Sequence, residues 1–416
     1  MSASDAPVSS RLLRFFDTEV GQLPRSYWFV WGGTLVNRLG SFVLPMLTIY
    51  LTTRRGLTLE SAGAIVSGFG AGSLAGVTLG GVLADRVGRR ATMLMGLVLG
   101  SAAMLALGAA DDWWELAVAA TALGLLADLY RPASSALIAD IVPPEHRLKA
   151  FGLLYWAINL GFAVGTAIAG FLAENHFTAL FIGDAITTLV FAVIIYRFVP
   201  EPARKEPAKD ATGSLVTPFL DPVFLPFLIL NFLIVVVFFQ HFVALPGDMA
   251  SKGLGASDYG MAIAVNGMMI VFLQPIATRM LKRVGRARVL AVGCLLTGLG
   301  MGVNVFAQAL PVFILSVSVW TVGEIIMAPV SSSIIADLSP EHLRGRYQGA
   351  FFLSWGLAMV VAPLLGPWVV RVTDLRTLWL ACVGVGGVCA AGQLALTGAR
   401  RKRMLELGTA ASGLKD

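Results

Sequence analysis

Twelve stretches of this chain are too apolar and too long to fold in water. They run over residues 26–51, 60–83, 91–110, 113–139, 149–173, 178–199, 222–245, 258–280, 288–307, 311–336, 347–371 and 376–398. A helix needs about 20 apolar residues to cross the hydrocarbon core of a bilayer. Inside that core every backbone N–H and C=O must be satisfied within the protein, so runs of this length read as helices. The expected class is therefore an all-α membrane protein with twelve transmembrane helices. Composition agrees: 13% of residues are charged, against about 25% in soluble domains.

The chain has 31 Lys and Arg against 25 Asp and Glu. The placement of these charges argues against nucleic acid as a partner. If the N-terminus is cytoplasmic, 24 of the 31 basic residues fall on cytoplasmic segments. Outer segments hold Arg54, Arg55, Lys252, Arg371 and Arg376, while Arg38 and Arg131 lie within apolar runs. Positive-inside bias accounts for the basicity and puts both termini in the cytoplasm. The first 25 residues lack the apolar core of a cleavable signal peptide. Leu12, Leu13, Phe15 and Phe16 beside Arg11 and Arg14 suit either a short interfacial helix or a plain tail. Cys294, Cys382 and Cys389 all fall inside spans, and no Cys/His spacing points to a metal. Arginine outnumbers lysine 24 to 7, the bias of a GC-rich bacterial source.

Between the second and third runs stands Gly81-Val82-Leu83-Ala84-Asp85-Arg86-Val87-Gly88-Arg89-Arg90. Gly81 would allow close approach of a neighbouring helix, and Gly88 a turn that a Cβ would hinder. Asp85 is expected to end its helix and to pair with Arg86, Arg89 or a more distant partner. The string G-x-L-A-D-R-x-G-R-R resembles the helix 2–3 loop of the major facilitator superfamily of secondary transporters. A second string, Gly152-x8-Gly161-x3-Gly165-Thr166-x2-Ala169-Gly170, resembles the antiporter motif of that superfamily's drug-efflux branches. Thr166 stands where a proline is usual and Ala169 where a glycine is.

The second half of the chain repeats the first. Ser331 to Asp337 echoes Ser134 to Asp140 at an offset of 197, and Pro329 then matches Pro132. Lys282 to Arg286 likewise matches Asp85 to Arg89, and Pro-Glu-His recurs at 144–146 and 340–342. Parallel six-helix repeats are the architecture the resemblance implies. The expected division is a cytoplasmic segment 1–25, a first half 26–199, a linker 200–221, a second half 222–398 and a tail 399–416. Ala64, Gly68, Gly72, Gly76, Gly80 and Ala84 recur every fourth residue, which suits either static packing or a sliding contact.

Ionisable groups at membrane depth are costly and mark function. Arg38, Asp128, Arg131, Asp184 and Glu324 fall within the runs. Asp128 can pair with Arg131 at i+3, whereas Glu324 has no arginine one turn away. A carboxylate without a cationic partner can load and release a proton near neutral pH. Glu324 is thus the first coupling candidate and Asp128 the second, with Arg38 and Arg131 as their partners. Asp184 is expected to pack or cap locally and His241 to be interfacial. The resemblance places helices 1, 4, 7 and 10 around a central cavity. There Tyr130, Trp156, Gln240, Asn266 and Trp355, with Phe238, Phe239, Met268, Met269 and Phe352, are candidate lining residues.

The resulting expectation is a proton-coupled exporter of lipophilic drugs or small metabolites, working by alternating access. It would be a monomer in the bacterial cytoplasmic membrane, with protons, lipid and a small-molecule substrate as partners and no cofactor or metal. The Asp85, Arg86, Arg89, Arg90 and Asp140 cluster would close the cytoplasmic side in the outward-open state. An uptake symporter or facilitator of the same fold remains the alternative, and a non-transporting sensor a third. Gly384-x-Gly386 lies in an apolar run without the strand-turn-helix setting of a dinucleotide site, and no Walker sequence is present, so an enzyme or ATP-driven pump is not expected.

Overall fold

A computed structural model describes residues 23–174, 176–202, 216–281, 284–340 and 343–407, except for the Leu148 side chain. The amphipathic pattern at 11–16, most of the linker, Lys282, Arg283, the second Pro-Glu-His beyond its proline, and the last nine residues lie outside them.

Among the described residues twelve helical segments are long and apolar enough to cross a membrane: α1 Arg25–Arg54, α2 Leu59–Arg86, α3 Arg89–Ala109, α4 Trp113–Ile141, α5 Pro144–Ala173, α6 Phe177–Phe198, α7 Phe224–Ser251, α8 Ala256–Met280, α9 Arg286–Phe306, α10 Leu310–Leu338, α11 Arg344–Val372 and α12 Leu375–Ala395. An amphipathic helix, α13 (Thr397–Glu406), follows. The described residues contain no strand.

Packing repeats along with the sequence. In the first half α1 packs on α5 and α6, α2 on α4, and α3 on α4 and α6. In the second, α7 packs on α11 and α12, α8 on α10, and α9 on α10 and α12. Two seams join the halves, α2 with α11 and α5 with α8. The repeated Asp140 and Asp337 each pair with the arginine that begins a helix of the same half, Arg89 of α3 and Arg286 of α9.

The apolar core shows where the halves meet. One large buried cluster takes side chains from both halves, among them Met46, Leu47, Val66, Leu245, Tyr259 and Ala362. Toward the face that carries the charged turns it gives way to two separate clusters. One, around Tyr27, Leu137 and Phe191, belongs to the first half, and the other, around Phe227, Ile334 and Tyr347, to the second. The molecule is closed at one face and open at the other.

Three of the expected cavity helices are broken, and proline explains the breaks in α1 and α4. A proline at position i removes the N–H that would reach the carbonyl of i−4. In α4 Pro132 strips Asp128, and the helix interrupts between Ala127 and Tyr130. In α1 Pro45 strips Ser41, and the break lies between Leu39 and Val43. In α7 the break sits at Phe239, after which Gln240–Ser251 continues through Pro246.

Four expectations need correction. The α2 helix does not stop at Asp85 but runs to Arg86, leaving only Val87 and Gly88 as the turn. Nothing approaches within 4 Å of a Cβ built on Gly81, so that glycine admits no neighbouring helix here. The seventh span ends at Ser251, not 245, so Asp248 is helical and fully buried. His241 is buried against Phe238, Phe242 and Trp320 and is not interfacial.

Candidate functional site

Gly88, at φ +127°, makes the turn between α2 and α3 that L side chains resist. It delivers Arg89, whose Nε lies 3.1 Å from Asp140 and whose Nη2 lies 3.2 Å from Asp85. Arg89 also donates to the Ala84 carbonyl at 2.8 Å. Arg90 donates to the Tyr196 carbonyl and lies over its ring, while Arg86 ends α2 in an exposed position. The Glu201 carboxylate accepts from the N–H groups of Arg89, Arg90 and Ala91 at 2.6, 3.2 and 3.2 Å. It satisfies donors that the start of α3 leaves open. The second half keeps the core of this arrangement: Arg286 bonds Asp337 and Ser333, with the Met404 sulfur of α13 at 3.4 Å. The bonds named here for each cluster fall within its own half.

At membrane depth the first half holds four charged side chains around a cavity of about 100 Å³. Arg131 pairs with Asp128 at 2.8 Å, and Asp128 also accepts from the Ser73 hydroxyl. Arg38 donates to the Tyr130 hydroxyl at 2.7 Å, and Tyr130 lies 3.5 Å from the Asn37 amide oxygen. Arg38 therefore engages its own half and does not reach across to Glu324. The Asp184 carboxylate accepts from the N–H groups of Phe42 and Val43 at 3.2 and 3.3 Å, capping the outer piece of α1.

The second half differs. Glu324 on α10 accepts from the Asn266 amide of α8 at 2.8 Å, and the same amide donates to Thr321 at 3.0 Å. Among the described residues no Lys, Arg or His comes within 4 Å of Glu324. One residue along α10, the Ile325 carbonyl that Pro329 strips of its helical donor accepts from Gln274 at 3.0 Å.

The seams meet backbone to backbone. A Cβ built on Gly63 or Gly70 of α2 would stand 2.1 or 2.6 Å from the Pro363 or Met359 carbonyl oxygen of α11. Those carbonyls are the ones that Pro367 and Pro363 free. On α8, a Cβ on Gly260 or Gly267 would stand 2.7 or 2.9 Å from the Thr166 or Asn159 carbonyl oxygen of α5. Gly63 and Gly70 match Gly260 and Gly267 at the same offset of 197. The glycine stripe singled out in α2 has another use. Gly72, Gly76 and Gly80 face the Thr121, Leu125 and Leu129 carbonyls of α4 within the same half. That stripe packs α2 on α4 inside the first half, not on the other half.

The antiporter-like glycines divide likewise. Gly161 and Gly165 lie against Arg38 and Leu39 at the α1 break, and Gly170 against Ala256 and Gly260 of α8. Gly152 faces open space at the open end. The five candidate lining residues do not form one pocket here. Tyr130 belongs to the Arg38 network, and Asn266 holds Glu324. Gln240, at the α7 break, is buried and donates to Val236 and Ala362 at 3.3 and 3.2 Å. Trp355 packs beside that break on Phe238 and Phe239. Trp156 is 38% exposed at the open end, stacked on Trp31.

Sequence reading missed two acidic anchors. Buried Asp248 pairs with Lys252 at 2.8 Å and accepts from the Trp379 indole at 2.9 Å. Asp221, discussed below, fastens the start of α7. Pro246-Gly247 imitates a helix end and hid the first; the second sits in a stretch that reads as a linker.

A family model described as Major Facilitator Superfamily matches residues 30–247 and again 241–412. A Na(+), Li(+), K(+)/H(+) antiporter of Planococcus maritimus is 27% identical over 81% of this chain and 87% of its own length. The quinolone resistance protein NorA of Staphylococcus aureus is 32% identical, over 37% of this chain and 39% of its own. Among solved structures, a POT family transporter in complex with 5-aminolevulinic acid superposes with a TM-score of 0.79 at 17% identity, covering 91% of this chain and 97% of that one.

Proposed function

The chain belongs to the major facilitator superfamily and is a multi-pass bacterial membrane transporter; we propose that it is a proton-coupled exporter in which Glu324 carries the proton. One observation carries this reading. Asp128 and Asp248 each have a cation within 2.8 Å, and Asp184 binds two backbone N–H groups. Glu324 is held by one neutral amide. A carboxylate so placed can exist in either protonation state at modest cost, which a coupling site requires.

Positive-inside bias supports placing both termini in the cytoplasm. The open face is then cytoplasmic and the structure inward-open. On this reading residues 26–199 and 222–398 rock against each other about the seams, with 200–221 as the link. The Asp85, Arg89 and Asp140 cluster would re-pair across the halves when the cytoplasmic side closes.

The match to NorA supports small lipophilic compounds as cargo, though over a limited stretch. A second reading, exchange of an alkali cation for protons, is favoured by the much longer match to the Planococcus antiporter.

Proteoliposomes with imposed pH gradients of both signs test these readings against drug and alkali-cation panels. Glu324→Gln should reduce gradient-driven movement at least about 100-fold while binding stays measurable, since the neutral amide mimics only the protonated state. Full transport by that variant would move the proton site elsewhere.

A further inference from the structure

The two seams correspond in their glycines but differ in the side chains beside them. At the offset of 197, Asn266 of α8 corresponds to Phe69 of α2, and Glu324 of α10 to Ala127 of α4. Next to Phe69, Gly70 packs on the Met359 carbonyl of α11, and next to Asn266, Gly267 packs on Asn159 and Ala163 of α5. The glycine contact thus has Phe69 beside it in one seam and an amide bound to a carboxylate in the other.

We propose that Asn266 is a positioning residue that carries the charge state of Glu324 to the α5–α8 seam. The inference rests on Glu324 being the proton site. The amide reaches two acceptors on α10, Glu324 at 2.8 Å and Thr321 at 3.0 Å. A charged carboxylate draws the N–H strongly and fixes the Asn266–Gly267 backbone against α5. When Glu324 takes up a proton, its acceptor strength falls and Thr321 becomes the competing partner. The backbone that moves with Asn266 is the one pressed on the other half. Gly267 is the last glycine of α8 toward the open face. Trp156 and Gly152 of α5 lie beyond it, the first 38% exposed and the second facing open space. The amide lies next to the last of these glycine contacts.

The groups around Glu324 are few. Asn266 and Thr321 bond through the amide. Among the described residues no cation lies within pairing distance. Around the pseudo-equivalent Phe69 the nearest such carboxylate is Asp128, next to Ala127, and it is held by the Ser73 hydroxyl and paired with Arg131.

The test compares Asn266→Ala, Asn266→Ser, Phe69→Leu and Glu324→Gln in proteoliposomes, reading transport rate against pH. In parallel, maleimide labelling of Gly152→Cys reports opening of the seam over the same pH range; the native Cys294, Cys382 and Cys389 are buried. Loss of the donor favours the protonated carboxylate. Asn266→Ala should therefore move the midpoints of transport and labelling upward together, by about one pH unit. Asn266→Ser, which keeps a donor, should return part of that shift, and Phe69→Leu should leave both midpoints in place. If Asn266→Ala does not fold, the Ser variant decides by the same midpoint. A folded Asn266 variant with lower rate but unchanged midpoints would make the residue merely structural and overturn the inference. Should Glu324→Gln itself keep gradient-driven transport, the proposed function fails as well; if it abolishes transport while the Asn266 midpoints stay put, only the inference fails.

Discussion

At the scale of residues, the carboxylates that organise this molecule act chiefly on helix ends. Asp221 accepts from the N–H groups of Val223 and Phe224 at 2.9 and 3.0 Å and from the Tyr347 hydroxyl at 2.7 Å, with Arg403 at 3.4 Å. Burial opposes its charged form. The Tyr347 hydroxyl, the two N–H groups and Arg403 outweigh burial and hold the carboxyl below the usual carboxylate range. A depressed folded value means stability that is present above the unfolded value, about 3.9, and lost as pH falls through the folded one. Asp221→Asn should therefore cost about 1–2 kcal/mol at pH 7, read as a lower thermal midpoint in detergent. The gap to the parent should narrow below about pH 4; a constant gap down to pH 3 would remove the charge from this account. The role was hidden in the sequence because an aspartate after a Lys/Pro-rich stretch looks solvated until Tyr347 and Arg403, 126 and 182 positions away, arrive beside it.

At the scale of elements, hydropathy placed all twelve helices, because the bilayer imposes one length and one backbone solution on each. It could not place their breaks or their partners. Pro246-Gly247 reads as a stop, yet α7 continues because the carbonyl that Pro246 strips, Phe242, accepts from the Thr48 hydroxyl of α1 at 2.7 Å. That bond crosses between the halves at the closed face. Thr48→Val should weaken closure and raise the outward-open population by an amount equivalent to about 1 kcal/mol. Pro246→Ala supplies a helical donor to the same carbonyl, so in the double variant the cost of losing Thr48 should shrink by at least half. Additive effects on accessibility of the outer face would show that the bond is incidental. The candidate site was legible in the same uneven way. Glu324 and Asp128 follow from charge at depth. That Asn266 would serve Glu324, and not a cavity, depends on which face α8 turns toward α10, and two polar side chains, Asn266 and Gln274, eight residues apart in an apolar run do not say which neighbour they meet.

At the scale of the whole molecule, closure at the outer ends rests on an extensive apolar core with few charges. Glu60 of α2 and Arg371 of α11 meet across the halves at 3.2 Å, with side chains 50% and 58% exposed. Exposed pairs contribute about 0.2–1 kcal/mol and are screened by salt. Glu60→Arg should tilt the balance toward outward-open only slightly, a few-fold at low salt and less at 0.5 M. Exchanging the two charges should restore it. A shift of ten-fold or more, as read by spin-label distances between α2 and α11, would give the pair more weight than its exposure allows.

The carbonyls that proline leaves open have a bearing on how the protein is made. Phe242 is served by Thr48, and Ile325 by Gln274. In both cases the donor lies earlier in the chain than the acceptor. A ribosome delivers the hydroxyl or amide into the membrane before the kinked helix that needs it. Each of these helices then enters a bilayer where its missing partner already waits, and α7 finds its partner on the half already synthesised. The first half is in this sense a template for the second, and the second half expressed alone would insert α7 with one peptide carbonyl facing lipid.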